Sequence, residues 1–225
     1  MAQGSMISLT AADGHTLGAY KALPSGTPKG GIVILQEIFG VNTHVQHVCD
    51  EYAADGYVAV APALFDRVEK NLILGYTDFT HAREVVAQLT EAMLVADMQA
   101  AINACAPARF VVPIGYCYGG AMAYLAGCKC TGVAGAVDYY GTRTIAFSET
   151  MSPTVPVMYH FGAKDQSISM AGITKIKTAH PSGTFYIYDD ADHGFSCDER
   201  PQFFNAGATK LAKERTLKFL VDVMQ

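Results

Sequence analysis

One cysteine stands in a turn whose neighbours are the residue types that nucleophilic catalysis requires. Cys117 follows Gly115 and precedes Gly119-Gly120, so that the segment has the pattern G-x-C-x-G. This is the pattern of a nucleophile elbow, with cysteine where serine is usual. Glycines are needed because the turn is too tight for side chains on either flank. At the start of a helix, the cysteine would also face unpaired backbone N–H groups that favour its thiolate.

A cysteine nucleophile needs a base, and the base needs a group that orients it. Asp165 and His193 each follow a different predicted strand, and the carboxyl ends of parallel strands meet at one edge of a sheet. The chain order nucleophile, acid, histidine is that of the α/β-hydrolase triad. We expect His193 to take the thiol proton and Asp165 to orient the imidazole. Asp192 and Asp190 are the local alternatives for the acid.

Three further residues could assist this chemistry. The backbone N–H of Tyr118, directly after the nucleophile, and that of Ile38, after an earlier strand, are the expected donors to an oxyanion. Glu37 ends an apolar strand, where a carboxylate should avoid burial. Near the cysteine it could accept or hold the thiol proton. The alternatives are a solvent-facing glutamate or the partner of a buried arginine.

These residues must be positioned by alternating strands and helices. Apolar runs predict strands at 7–11, 16–22, 31–36, 57–61, 110–114, 133–139, 155–161 and 184–189. Helical composition predicts helices at 43–55, 119–127, 169–179 and 202–223, and one helix or two within 78–104. This pattern predicts an α/β fold with a mostly parallel central sheet and helices on both faces. Pro113 lies inside the predicted central strand and cannot donate to a ladder, so we expect a bulge or an early end to pairing.

Length and composition narrow the class of protein. The 225 residues are 50% hydrophobic and 16% charged, which predicts one domain over 6–225 after a short added or unstructured extension, 1–5. The net charge of −5 favours neither nucleic acid nor an anionic membrane as a partner. No apolar run approaches the roughly 18 residues of a membrane span, and no signal peptide is recognisable. We therefore expect a cytoplasmic protein, monomeric or a small homo-oligomer, that acts on a small molecule without a cofactor.

The six cysteines are expected to be reduced thiols in such a compartment. Cys128 and Cys130 form a C-x-C pair, which invites a metal interpretation. No second pair or histidine cluster lies nearby in the sequence, so we interpret them as ordinary loop cysteines rather than as metal ligands.

Three motifs together resemble the dienelactone hydrolase (carboxymethylenebutenolidase) family of the α/β-hydrolase superfamily. They are Gln36–Asn42, Gly115–Gly120 and Asp192–Phe195, and the segments 139–141 and 214–220 match the family pattern as well. The resemblance covers nearly the whole chain after residue 6. It implies a single-domain α/β hydrolase that cleaves small esters or lactones through a Cys-His-Asp triad and a cysteinyl acyl-enzyme. It also implies that Glu37 bonds the resting thiol.

The resemblance is weaker for the substrate than for the catalytic residues. Family members that act on dienelactone hold the substrate carboxylate with two arginines. One of them lies four residues after the catalytic histidine, where this chain has Cys197, with Arg200 three residues further on. The counterpart of the other has no clear alignment, although Arg83 lies in the same region. Because a bidentate arginine is hard to replace, dienelactone specificity does not carry over.

Five side chains are expected to line the substrate pocket: Phe39, Tyr76, Arg83, Tyr139 and Phe195. The resemblance points to the tyrosine of the Tyr-Tyr-Gly segment. Phe39 and Phe195 lie within its motifs, and Tyr76 and Arg83 lie in the region where the family has its second arginine. An aromatic pocket without a cation would take neutral, apolar esters, whereas a cation within reach of the nucleophile would select an acidic substrate.

Two other classes of protein share parts of this pattern. Glutamine amidotransferases also have an elbow cysteine, but their histidine usually follows the cysteine closely. Here the acid precedes His193, which disfavours that class. A ligand-binding or redox-sensing protein could retain the hydrolase fold without catalysis, and fold alone does not exclude it.

Overall fold

The computed structural model describes residues 3–225 as one α/β domain. Its strands are β1 (Ser5–Thr10), β2 (Thr16–Ala22), β3 (Gly31–Leu35), β4 (Val58–Pro62), β5 (Val111–Tyr116), β6 (Ala136–Tyr139), β7 (Val157–Gly162) and β8 (Thr184–Tyr188). Its helices are α1 (Thr43–Ala54), α2 (Phe79–Gln88), α3 (Glu91–Ala104), α4 (Tyr118–Lys129), α5 (Thr144–Ser148), α6 (Met170–Ala179) and α7 (Ala206–Val223).

The eight strands form one mostly parallel sheet, as the alternating pattern predicts. Their order is β1-β2-β4-β3-β5-β6-β7-β8, and only β2 runs antiparallel to its two neighbours. The β1–β2 hairpin turns at Asp13-Gly14, where Gly14 has a φ of 85°. Strand β1 begins at Ser5, one residue before the predicted start of the domain. Met1 and Ala2, at the start of the expected extension, lie outside the described residues.

Helices cover both faces of the sheet because its central strands are apolar on both sides. In β3, Ile32 and Ile34 belong to a core that includes side chains of α1, α6 and α7. The alternating residues Val33 and Leu35 belong to a second core with side chains of α3 and α4. All four side chains are fully buried. The two cores fix the register of the central strands, because a slip of one residue would exchange the faces.

Pro113 does not interrupt the central strand, contrary to the expected bulge or early end of pairing. The ladder between β5 and β3 runs unbroken from Gly31↔Val111 to Leu35↔Gly115, with Val33 opposite Pro113. The Val111 carbonyl accepts from Ala134 on the β6 side, and residue 113 faces the same side. There the continuous ladder with β6 begins only at Ile114. The missing N–H therefore falls where no ladder bond is made.

Several element boundaries differ from the predicted ones. The predicted helical region 78–104 takes the two-helix alternative, with α2 ending at Gln88 and α3 beginning at Glu91. Helix α7 begins at Ala206 rather than at residue 202, because the Asn205 side chain caps it by accepting from the Ala208 N–H. Helix α5 was not predicted, since five residues are too few to show a helical period.

No single helix in residues 3–225 has the length and apolar composition to cross a membrane. Helices α2 and α3 together would have that length and composition, but they meet at a bend of 94°.

A buried ion pair ties the β1–β2 hairpin to α3. The Arg67 guanidinium donates two hydrogen bonds to Asp97, at 2.8 and 2.7 Å, and lies 2.8 Å from an Asp13 oxygen. The Asp97 side chain is only 1% exposed. Burial raises the pKa of Asp97, and the bonds from Arg67 oppose that rise. The carboxylate therefore depends on its bidentate partner to remain charged.

We expect Arg67→Met to lower the free energy of unfolding by about 3 kcal/mol, because it leaves a buried carboxylate unpaired. Urea denaturation at neutral pH measures this loss. Arg109→Met, at an exposed arginine at the opposite end of the sheet, is the control and should change stability little. A loss below about 1 kcal/mol for Arg67→Met would show that the pair does not stabilise the fold.

Candidate active site

Cys117 occupies a strained turn between β5 and α4. Its φ of 54° and ψ of −114° lie in a region that L-residues rarely adopt. A Cβ on Gly115 would collide with the Gly119 carbonyl, and a Cβ on Gly119 would collide with the Leu35 carbonyl. The Cys117 N–H is fixed by a 3.0 Å hydrogen bond to the Tyr139 carbonyl. The turn therefore presents the thiol at the carboxyl edge of the sheet.

The structure brings together the three residues of the expected triad. The Cys117 Sγ lies 3.1 Å from Nε2 of His193, and Nδ1 of the same ring lies 2.8 Å from Asp165 Oδ2. Cys117 follows β5, Asp165 follows β7 and His193 follows β8, so three strand ends converge on one point. The arrangement gives the thiol a base in hydrogen-bond contact and gives the base an orienting carboxylate.

Asp165 is held in place by the backbone of its own loop. Its Oδ1 accepts the N–H groups of Ser167 at 2.6 Å and Ile168 at 3.0 Å, which leaves Oδ2 for the imidazole. Neither local alternative contacts the ring. Asp192 accepts the backbone N–H of His193 at 2.7 Å, and Asp190 forms an exposed ion pair with Lys164.

The environment of His193 favours the protonated ring. Burial by itself lowers the pKa of the imidazole, but the facing thiolate of Cys117 and the carboxylate of Asp165 outweigh it and raise the pKa of His193 to about 10. Because an acceptor-only carboxylate faces Nδ1, that nitrogen carries a proton, and Nε2 is the atom that exchanges a proton with the thiol. The ring is therefore placed to take the thiol proton at Nε2, while Asp165 stabilises the imidazolium that results.

Glu37 lies beside the triad but does not bond the thiol. Its side chain is buried, and neither carboxylate oxygen has a hydrogen-bond partner among residues 3–225. Burial raises the pKa of Glu37, and the nearby His44, Arg200 and His193 oppose the rise. The contact implied by the resemblance is therefore absent from this structure, because the thiol is turned toward His193. The buried-arginine alternative matches better, although Arg200 and Glu37 are near neighbours rather than a bonded pair.

Cys117 opens into a cavity of about 260 Å³. His193, Ile38 and Tyr118 line the same cavity, so both residues whose N–H groups are the expected oxyanion donors border the space next to the thiol. Arg83, on α2, lines it as well. An acyl group bound here would lie within reach of the nucleophile, the base and the two backbone positions.

Four of the five expected pocket residues do not line this cavity. Phe39 is buried and packs edge-on against Phe79, which does line it. Tyr139 is turned away and hydrogen-bonds Thr216. Phe195 is fully buried behind Tyr140, whose ring contacts His193.

Tyr76 is the fourth of these residues, and it connects two loops rather than facing the substrate space. Its hydroxyl accepts from Asn42 and donates to Glu199 at 2.7 Å. Phe39, Tyr139 and Phe195 lie within the segments that carry the family resemblance, whereas Tyr76 does not. The sequence supplied only these positions. It could not show which way each ring turns, because neighbours from other strands decide that.

Sequence reasoning missed Arg143, which lines the Cys117 cavity together with Arg83. It comes just after β6, at the same edge of the sheet as the triad. The rule that located Asp165 and His193, a polar residue in the loop after a strand, would have found it. Arg200 is buried, with its guanidinium 4.5 Å from the Phe203 ring, and it does not line the cavity. Cys197 is also buried.

Within residues 3–225, no group of three or more His, Cys, Asp or Glu side chains is placed to hold a metal ion.

Comparison with known proteins shows the family of the chain. Residues 17–224 match the model of the dienelactone hydrolase family. The chain belongs to this family. Carboxymethylenebutenolidases of Pseudomonas putida and Pseudomonas knackmussii are each 34% identical to it over 227 residues, which cover 95% of this chain and 94% of theirs.

Solved structures agree on the fold. A Klebsiella pneumoniae structure described as a dienelactone hydrolase aligns with a TM-score of 0.83 at 25% identity. The alignment covers 96% of this chain and 99% of that chain. A Pyrococcus furiosus esterase aligns with a TM-score of 0.71 at 13% identity, over 100% of this chain and 92% of its own. The fold is that of a single-domain α/β hydrolase, and this dienelactone hydrolase family member is a carboxylic ester or lactone hydrolase. The amidotransferase and non-catalytic alternatives are thereby set aside.

We expect iodoacetamide to alkylate Cys117 before the other five cysteines near neutral pH. Burial raises the pKa of each of the other thiols, whereas Cys117 faces His193 and borders a cavity. His193→Gln should slow the labelling of Cys117 by about tenfold or more, because the thiol loses the base that can take its proton. Peptide mass spectrometry measures both effects.

The exposed His81→Gln variant is the matched control and should label at the wild-type rate. Equal labelling rates in the His193→Gln variant and the wild type would show that the imidazole does not activate the thiol.

Proposed function

We propose that this family member hydrolyses small acidic esters or lactones through a cysteinyl acyl-enzyme. The observation that carries the proposal is the continuous contact from Cys117 through His193 to Asp165 beside a cavity bordered by two arginines. Nucleophile, base and orienting acid stand at hydrogen-bond distances, and the cavity beside them has room for an acyl group.

Acylation begins with the Cys117 thiolate, whose proton resides on Nε2 of His193. The sulfur attacks the carbonyl carbon, and the developing oxyanion accepts from the N–H groups of Ile38 and Tyr118. The tetrahedral intermediate collapses when the C–O bond breaks and His193 gives its proton to the leaving oxygen. An ester releases an alcohol at this step, whereas a lactone opens and keeps the new hydroxyl on the acyl chain.

Deacylation repeats the sequence with water. Neutral His193 takes a proton from the water as the water oxygen attacks the thioester carbon, and the same two N–H groups receive the oxyanion. The sulfur then leaves as thiolate, and the imidazolium that remains restores the starting ion pair. Asp165 stabilises the imidazolium in both halves of the reaction by its bond to Nδ1.

The charge of the cavity supports an acidic substrate. Arg83 and Arg143 border it, and the residues that line it within the described part of the chain include no carboxylate. Neither guanidinium forms an ion pair with a carboxylate of residues 3–225. Both therefore keep their donors for a carboxylate on the bound molecule, which they can hold in a planar, bidentate manner.

We also propose a cellular location and an assembly for the protein. All six cysteines are free thiols in this structure, which supports a cytoplasmic location. A monomer or a small homo-oligomer acting on a free small molecule is the assembly that we propose.

We expect Cys117→Ala to lower kcat for 4-nitrophenyl esters about a thousandfold or more, because no other group can form the acyl-enzyme. Steady-state rates measure the loss, and intact mass spectrometry of the wild type with a slow substrate should show an acyl adduct on Cys117.

Cys130→Ser, at a half-buried cysteine beyond the end of α4, is the matched control and should keep the wild-type rate. Undiminished turnover by Cys117→Ala would refute the mechanism.

We expect Arg143→Met to raise KM for mono-4-nitrophenyl glutarate about tenfold and to leave KM for 4-nitrophenyl valerate within twofold. The two esters have acyl chains of equal length and the same leaving group, so their ratio isolates the recognition of the carboxylate. Arg83→Met should act in the same direction.

Arg109→Met changes the net charge by the same amount, but this residue lies at the other end of the sheet. It should leave the ratio of the two KM values unchanged. A wild-type enzyme that prefers the neutral ester would contradict an acidic substrate while leaving the cysteine mechanism intact.

A further inference from the structure

The turn that follows β6 carries one of the two arginines at the cavity of Cys117. Thr142 and Arg143 both line that cavity, shortly after β6 ends at Tyr139. Arg143 is exposed, and its guanidinium lies 5.5 Å from the centre of the Phe147 ring. An arginine on an exposed turn binds a carboxylate well only if its backbone is held in place, because ordering a mobile group on binding reduces affinity. The contacts that hold this turn therefore matter for recognition.

A buried carboxyl group at the base of the turn supplies those contacts. Asp138 and Thr144 are both fully buried. Asp138 Oδ1 accepts the Gly141 N–H at 2.8 Å, and Oδ2 accepts the Thr144 hydroxyl at 2.5 Å. The two bonds are made on either side of Thr142 and Arg143. The carboxyl group therefore fixes both ends of the segment that borders the substrate space.

The backbone of this turn is strained and needs such support. Tyr140 has a φ of 43°, which L-residues rarely adopt. Its N–H donates to the His160 carbonyl at 2.9 Å, and its ring centre lies 5.2 Å from that of His193. A strained residue persists only where its surroundings over-determine its conformation. Without Asp138, the buried N–H of Gly141 would lose its partner, and the turn would lose a constraint next to the strained residue.

The same carboxyl group packs against the helix that begins at the nucleophile. A Cβ on Gly120, near the start of α4, would collide with Asp138 Oδ1 and with the Tyr139 carbonyl. That carbonyl accepts the N–H of Cys117. Asp138 thus lies between the elbow and the turn, and it sets the position of Arg143 relative to the sulfur.

Hydrogen-bond geometry, rather than charge, is what Asp138 contributes. It forms no ion pair with a basic side chain of residues 3–225. Burial raises the pKa of Asp138 to about 7, although the bonds from Thr144 and Gly141 oppose the rise. Both protonation states can make the two bonds. The carboxylate accepts both, whereas the carboxylic acid accepts the Gly141 N–H and donates to the Thr144 oxygen.

We propose that Asp138 is a positioning residue that makes the enzyme selective for acidic substrates by fixing the turn that carries Arg143. The inference rests on the role proposed above for Arg143 in binding the substrate carboxylate. Asp138 does not line the cavity. It acts through its bonds to Gly141 and Thr144, which hold Arg143 in place beside Cys117.

The test measures the KM ratio, which is the KM of mono-4-nitrophenyl glutarate divided by that of 4-nitrophenyl valerate. Damage to the fold or to the triad affects both esters and cancels, whereas a displaced Arg143 affects only the acidic ester. We expect Asp138→Ala to raise the KM ratio about fivefold, because the turn loses both bonds. Asp138→Asn should leave the ratio within about twofold, because its carbonyl accepts from Gly141 and its amide donates to Thr144.

A double variant shows whether Asp138 acts through Arg143. In the Arg143→Met background, Asp138→Ala should change the KM ratio by less than about twofold, because the side chain that it positions is gone. Asp50→Ala is the matched control. Asp50 also accepts one backbone N–H, from Gly4, and one hydroxyl, from Tyr20, and it does not line the cavity. Its loss should leave the ratio unchanged.

A second pair of variants decides the proposal if Asp138→Ala does not fold, which thermal melting checks. Thr144→Val removes the hydroxyl at nearly constant volume and should raise the KM ratio about threefold. Thr144→Ser keeps the hydroxyl and should leave the ratio within about twofold of the wild type. Equal ratios in the two Thr144 variants would overturn the proposal.

Three results with Asp138→Ala would also overturn it. An unchanged KM ratio, while Arg143→Met raises the ratio, would refute the role of Asp138 and leave the proposed function intact. A lower ratio in both Asp138→Ala and Asp138→Asn would assign the effect to charge, since removing a negative charge strengthens the binding of an anion. An equal rise with and without Arg143 would assign it to another part of the site. A ratio that does not respond to Arg143→Met would instead refute the recognition of the carboxylate by Arg143, and the role of Asp138 with it.

Discussion

The positive φ of Cys117 is the constraint on which the site depends. A side chain in that conformation costs roughly 1–3 kcal/mol, which the surrounding structure must offset. Here the offset comes from a β5 strand paired on both sides and from glycines that let the α4 backbone approach β3. The strain has a use, because it aims the sulfur away from the sheet toward the loops that follow β7 and β8. Without that turn, the imidazole would have no nucleophile to meet.

Both burial and hydrogen bonding determine the environment of the charged groups around the thiol. One oxygen of Asp165 accepts from two backbone N–H groups, and the other oxygen bonds the imidazole. Glu37 is surrounded by three basic side chains and bonded to none of them among the described residues.

Pro113 and the aromatic residues show where reasoning from the sequence fails. A proline ordinarily argues against a central strand, because it has no N–H to donate. Here residue 113 faces the β6 side, where the ladder between β5 and β6 begins only at Ile114. Phe39, Tyr139 and Phe195 lie next to catalytic motifs in the chain, and all three rings pack inward rather than toward the substrate space. Sequence proximity to a motif gives the distance of a Cα from the site, whereas packing against other strands decides the direction of a side chain.

The sequence by itself determined the mostly parallel sheet, the elbow, and the identity of Cys117, Asp165 and His193 as the groups that meet. These follow from local patterns, since apolar runs define strands and strand ends converge at one edge. Only the tertiary structure decided that the thiol faces His193 rather than Glu37, and that Arg143 joins Arg83 at the cavity. Those facts depend on side-chain directions and on contacts between segments far apart in the chain, and no local pattern encodes them.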